Sequence, residues 1–111
     1  MRNLFFISLI LVVALTLLGC SGDAPPFFRI RNERSTKASM QVKTSNGNTI
    51  NINNIEPGTT SEYQASTEGL IEITVSIQGE SVVPTASFNA VNNGRYTIVI
   101  LAGTTPALRI D

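Results

Sequence analysis

The sequence contains no histidine, no tryptophan and a single cysteine among its 111 residues. Histidine is the usual proton carrier near neutral pH and the commonest ligand of transition metals. Its absence counts against a hydrolytic triad and against a metal centre, so we expect no catalytic residues, no metal and no cofactor. The lone cysteine cannot form a disulfide within the chain, and the fold must therefore be stable without one.

Charge is also scarce in this sequence, and its positive and negative residues balance. Charged residues make up 14% of the chain and the formal net charge is +0 at pH 7, whereas soluble domains contain about 25% charged residues. Binding to DNA or RNA depends on cations that release counterions from phosphates. The composition therefore predicts no nucleic-acid partner.

A long apolar run lies at the N-terminus and follows a positive charge. Arg2 precedes Leu4 to Leu18, a run of 15 residues interrupted only by Ser8 and Thr16. This order is typical of a secretory signal peptide. Spanning a bilayer takes about 20 apolar residues, so the run predicts a segment that is removed during export.

The residues that end this run, Leu17-Leu18-Gly19-Cys20, resemble the lipobox of bacterial lipoprotein precursors. The resemblance implies a diacylglyceryl group on the thiol of Cys20 and cleavage just before it. Two or three fatty acyl chains, such as palmitate, would then anchor the protein in a membrane, whereas one chain binds only marginally. The residues alone leave two alternatives open, an unmodified Cys20 beyond an uncleaved anchor or one left by an ordinary signal-peptide cut.

The resemblance also has consequences for domain organisation and location. It implies a lipoprotein signal peptide over residues 1–19, a lipidated tether over 20–26 and one folded domain over 27–111, so that the mature chain has 92 residues (111 minus 19). Members of the family that stay at the inner membrane usually carry Asp after the cysteine. This chain has Ser21, which implies the outer membrane of the cell envelope if the bacterium has two membranes.

Apolar and polar residues alternate along most of the mature chain, as they do in half-buried β-strands. The clearest example follows Gly69, where Ile71, Ile73 and Val75 alternate with polar residues. About seven or eight such antiparallel strands, with a turn every 8 to 12 residues, predict an all-β domain built as a small β-sandwich. The expected core residues are Phe28, Ile52, Ile73, Val75, Tyr96 and Ile98.

Turn residues separate these strands. Asn46-Gly47 predicts a β-hairpin, and Pro57-Gly58 suits a type II turn. Pro84 lacks a backbone N–H and predicts an edge or bent strand. Edge strands need protection from pairing with other chains, and we expect Pro84, Lys43 and the two arginines beside Phe28 to provide it.

Three stretches of the mature chain resemble an uncharacterised family of bacterial envelope domains. They are FRIRNERSTKASMQVKTSNG, TTSEYQASTEGLIEITVSIQG and NNGRYTIVIL, and they span Phe28 to Leu101. The shared features are an Asn-x-Ser-like turn near Asn32, Tyr63 ahead of a strand led by Gly69, and a late Gly-x-Tyr-Thr strand. The resemblance implies an immunoglobulin-like sandwich and no particular chemistry.

The remaining ionisable residues are more simply interpreted as solvated side chains than as catalytic groups. Lys37 and Lys43 are the only lysines that could act as a base, and each lies in a polar stretch typical of a solvated side chain. Glycoside hydrolysis would need two carboxylates about 5 to 9 Å apart across a cleft. Glu62, Glu68 and Glu72 are the candidates, and their positions favour a solvated surface instead.

Four cationic residues, Arg29, Arg31, Arg34 and Lys37, cluster near the expected anchor. Such a cluster could lie against anionic headgroups, and each charge would then contribute about 1 kcal/mol. The simpler interpretation is a solvated strand face. Phe27 is interpreted as packing beside the tether and Phe28 as core.

The sequence therefore predicts a lipid-anchored envelope protein that acts as a non-enzymatic binding or structural module. Its membrane contact is through acyl chains on Cys20, and an envelope protein is a further candidate partner. The alternatives are an accessory subunit of a larger envelope assembly, which docks by a sheet edge or by the loops at one end, and a small carboxylate-dependent hydrolase.

Overall fold

The computed structural model describes residues 23–111, which form eight β-strands and no helix. In chain order the strands are β1 (Phe27–Asn32), β2 (Ala38–Lys43), β3 (Thr49–Ile55), β4 (Gln64–Ala65), β5 (Gly69–Ile77), β6 (Thr85–Ala90), β7 (Arg95–Ile100) and β8 (Leu108–Ile110). The predicted all-β class and number of strands are thus confirmed. The predicted signal peptide, 1–19, lies outside the described residues.

Two four-stranded sheets pack face to face. Sheet A has the order β4-β1-β7-β8 and sheet B the order β3-β2-β5-β6. All neighbouring strands are antiparallel except β1 and β7, which run parallel from Phe27 beside Arg95 to Asn32 beside Ile100. The expectation of antiparallel strands is wrong for this pair, because only strands joined by tight turns are constrained to run in opposite directions.

The connections between strands determine which consecutive strands share a sheet. Hairpins join β2 to β3, β5 to β6 and β7 to β8 within a sheet. An immunoglobulin constant domain instead places its second and third strands in opposite sheets. The domain is therefore a two-sheet β-sandwich whose strand order differs from that of an immunoglobulin constant domain.

The core lies between the sheets and is built from the inward side of the alternating strands. The predicted inward side chains of β5, Ile71, Ile73, Val75 and Ile77, are all buried. Of the six predicted core residues, Phe28, Ile73, Val75 and Ile98 are fully buried, and Ile52 and Tyr96 are partly buried against the same cluster. Burial of each large side chain stabilises the fold by about 1.5 to 3 kcal/mol, which makes this cluster the main stabilising element.

The predicted turns occur where the sequence places them. At the β2–β3 hairpin the N–H of Thr44 donates to the carbonyl of Asn48 over 2.9 Å, and Gly47 has a φ of 85°. Gly58 has a φ of 71°, as the third position of a type II turn requires.

The strand order confirms only part of the prediction about residues that protect sheet edges from pairing with other chains. Pro84 immediately precedes β6, an edge strand of sheet B, as expected. Arg29 and Arg31 lie on β1, and Lys43 lies on β2, and both of these strands are flanked on each side. The expectation that these three residues guard edges is therefore wrong, since their position in the sheets depends on distant strands.

Candidate functional site

The residue with the most specific prediction, Cys20, lies outside the described residues, which begin at Asp23. From Ala24 onward the chain is hydrogen-bonded to the rest of the fold. The N–H of Ala24 donates to Asn93 Oδ1 over 3.0 Å, and the N–H of Asn93 donates to the carbonyl of Ala24 over 2.8 Å. Pro26 is buried, and its carbonyl accepts from the N–H of Ser66. The folded body therefore extends back to within four residues of Cys20.

The outer surface of sheet A carries four arginines, Arg29, Arg31, Arg95 and Arg109, and we call it the arginine face. Phe28, Ile30, Ile98 and Ile100 point into the core, so the residues that alternate with them point outward. The outward residues of this face lie in three rows that cross β1, β7 and the chain end at β8. These rows are Arg31–Val99–Arg109, Arg29–Thr97–Asp111 and Phe27–Arg95.

Two of these arginines contact an aromatic ring. The guanidinium carbon of Arg29 lies 4.8 Å from the ring centroid of Tyr63, and that of Arg95 lies 4.4 Å from it. Arg29 Nε also donates to Thr97 Oγ1 over 3.0 Å. Cation–π contacts act within about 6 Å of the centroid, so one tyrosine orders two guanidinium groups.

The other two arginines have carboxylate partners at the surface. Arg31 Nε lies 3.4 Å from Glu33 Oε2, and Arg109 Nε lies 2.8 Å from Asp111 Oδ1. The hydrogen bond from Arg109 lowers the pKa of the Asp111 carboxyl below its ordinary value. Exposed pairs of this kind contribute little to stability and leave both partners open to other ligands.

The structure divides the basic cluster that the sequence suggested. Arg34 turns away from the arginine face, donates to the carbonyl of Leu101 over 2.9 Å and pairs with Glu80 over 3.1 Å. Lys37 pairs with Glu56, with 3.5 Å between the charged atoms. Sequence reasoning missed Arg95 and Arg109, because only the pairing of β7 with β1 and β8 brings them beside Arg29 and Arg31.

The candidate carboxylates are all exposed, and only Glu72 lies in a strand, whereas Glu62 and Glu68 lie in the connections on either side of β4. Glu72 lies on β5 of sheet B, opposite Lys43 in the register of β2. Glu62 follows Ser61, whose N–H donates to the carbonyl of Ile30 in sheet A. Glu72 therefore belongs to sheet B, whereas Glu62 belongs to a connection that is hydrogen-bonded to sheet A.

Residues 23–111 contain no helical segment capable of spanning a bilayer. This part of the chain also has no group of three or more Cys, Asp or Glu side chains that could hold a metal ion. Comparison with models of protein families, with curated proteins and with solved structures gives no match to this chain.

Proposed function

We propose that this chain is a lipid-anchored envelope protein, acylated on Cys20 and cleaved before it, whose sandwich is a non-enzymatic binding or structural module. The anchor rests on the sequence Leu17-Leu18-Gly19-Cys20 after an apolar run. The observation that supports the proposal is that the described fold extends back to Ala24, four residues after Cys20. A mature protein cleaved before Cys20 would keep every described strand.

The hydrogen bonds between Ala24 and Asn93 indicate which end of the sandwich a lipid on Cys20 would adjoin. They lie at the end where β1 and β7 begin. Four residues of chain span at most about 14 Å, so acyl chains on Cys20 would hold this end close to the bilayer.

Replacement of the predicted acylation site tests the proposal in cells. We expect Cys20→Ser to abolish incorporation of labelled palmitate and, because cleavage in this family follows acylation, to leave residues 1–19 attached. Ser21→Ala serves as the matched control, because it removes a hydroxyl at the next position and leaves the thiol in place. Equal palmitate labelling and equal removal of residues 1–19 in the two variants would contradict the proposal.

A further inference from the structure

The two outer surfaces of the sandwich differ sharply in charge. The strands of sheet A contain four arginines and no acidic residue, whereas those of sheet B contain one cation, Lys43, and one anion, Glu72, which lie opposite each other. Two acidic residues, Glu33 and Asp111, flank the arginine face and leave it with a net charge of +2 (four minus two). Charge on the strands is therefore concentrated on one flat surface of a chain whose net charge is zero.

The arginine side chains lie along this surface. Val99 faces outward between Arg31 and Arg109, yet it is 1% exposed. Neighbouring side chains therefore cover Val99, while Arg31 and Arg109 remain exposed over 58% and 51% of their side chains. The result is a face with charged groups at its surface.

Arg29 and Arg95 carry the unneutralised charge of this face. Both contact the ring of Tyr63, and neither has a carboxylate within 4.0 Å among residues 23–111. A guanidinium presents several N–H donors in a planar fork that matches the oxygens of a phosphate. Arg29 Nε binds Thr97 Oγ1, and the remaining N–H groups of Arg29 and Arg95 are available to phosphate oxygens.

The position of the anchor brings this face to a bilayer. Arg95 comes two residues after Asn93, which binds Ala24, and Ala24 lies at most about 14 Å of chain from Cys20. Phe27, also on the arginine face, follows the anchored segment directly. The sandwich can therefore lie on its side with the arginine face against the membrane that holds the acyl chains.

We propose that the arginine face docks on the phosphates of anionic lipids in the bilayer to which Cys20 is anchored. The inference rests on the proposed function, since the acyl chains keep the face near these headgroups. Charge complementarity and a short connection to the proposed anchor favour a lipid surface over an acidic protein partner.

The test uses the acylated protein reconstituted in vesicles, with a spin label at one introduced cysteine. Ala65→Cys places the label on the arginine face, because Ala65 is exposed and pairs with Phe27. Ser87→Cys places it on the opposite surface, where exposed Ser87 pairs with Glu72. Acylation of Cys20 leaves the introduced thiol as the single labelling site.

The measurement is the collision rate of each label with a water-soluble paramagnetic reagent. We expect vesicles that contain about one third phosphatidylglycerol to shield the Ala65→Cys label relative to pure phosphatidylcholine vesicles, and to leave the Ser87→Cys label unchanged. In a background of Arg29→Gln with Arg95→Gln, the ratio of docked to undocked protein should fall about 25-fold, since each arginine is worth about fivefold.

Two further variants control for folding and for total charge. Arg31→Gln with Arg109→Gln removes two exposed cations from the same face and should also reduce shielding. Lys37→Gln with Lys43→Gln removes equal charge elsewhere and should leave shielding intact. Equal accessibility of the Ala65→Cys label in both lipid mixtures would overturn the inference, as would shielding only after addition of an acidic polysaccharide or an acidic protein.

Flotation separates this inference from the proposed function. A protein that is not acylated would fail to float with phosphatidylcholine vesicles, which contradicts the anchor. A protein that floats equally with both mixtures but shows no lipid-dependent shielding contradicts the arginine face alone.

Discussion

At the scale of single residues, Asn32 is a fully buried polar residue at the end of β1. Its side-chain Nδ2 donates to the carbonyls of Thr36 over 3.0 Å and Ile55 over 3.2 Å, and its Oδ1 accepts from the N–H of Arg34 over 3.0 Å. Its backbone carbonyl accepts from the N–H of Gly58. Asn32 therefore joins the end of β1 in sheet A and the β1–β2 loop to the end of β3 in sheet B.

We expect Asn32→Ala to lower the free energy of unfolding by about 2 to 4 kcal/mol, because it leaves buried backbone groups without partners. Asn51→Ala is the matched control, since Asn51 is exposed on β3 and its replacement should change stability by about 0.5 kcal/mol or less. Urea unfolding followed by circular dichroism measures both. Similar losses for the two variants would show that the buried hydrogen bonds of Asn32 do not stabilise the fold.

At the scale of elements, the start of β5 packs tightly against the β2–β3 hairpin. Gly69 has a φ of 115°, and a Cβ there would lie 2.8 Å from Ser45 Oγ. Ser45 Oγ donates to the carbonyl of Glu68 over 2.7 Å. The hairpin tip and β5 thus need a residue without a side chain at this contact.

We expect Gly69→Ala to destabilise the fold more than Gly47→Ala. Both positions have positive φ, which costs a side-chain-bearing residue about 1 to 2 kcal/mol. A Cβ at Gly47 meets no atom within 4 Å, whereas one at Gly69 clashes with Ser45. Thermal unfolding of the two variants gives the comparison, and Ser45→Gly should restore part of the loss in Gly69→Ala. An equal loss in the two variants, with no rescue, would be inconsistent with this contact.

The strands, the turns and the pairing of β2 with β3 could be predicted from the sequence, whereas the pairing of strands distant in sequence could not. Alternation over Gly69–Ile77 and the Asn46-Gly47 pair are local signals, so β5 and the β2–β3 hairpin were both expected and found. The parallel pairing of Phe27 with Arg95 joins residues 68 positions apart, and no local pattern encodes it. The alternation of Arg95 with Tyr96 predicts that Arg95 points outward, but it does not predict that Arg95 lies beside β1.

At the scale of the whole molecule, the fold places charged residues that are close in sequence on different surfaces. Arg31 and Arg34 are three residues apart, yet Arg31 lies on the arginine face and Arg34 binds the carbonyl of Leu101. The alternation of β1 placed Arg31 outward, whereas the loop that turns Arg34 away depends on Asn32 and on distant strands. Sequence proximity therefore predicted part of the arginine face and included residues that do not belong to it.

The proposed lipid anchor would determine which surface of this molecule meets a membrane. If Cys20 is acylated as proposed, the sandwich is held within about 14 Å of the acyl chains and encounters headgroups continually. The same body without acyl chains would depend on a net charge of +2 on one face, which gives weak and salt-sensitive binding.

The mass of the intact protein purified from native membranes tests this account most directly. We predict a chain of residues 20–111 that carries a diacylglyceryl group on Cys20 and additional mass from a further fatty acyl chain on its amino group. A chain with an unmodified Cys20 thiol, or one that retains residues 1–19, would contradict the account.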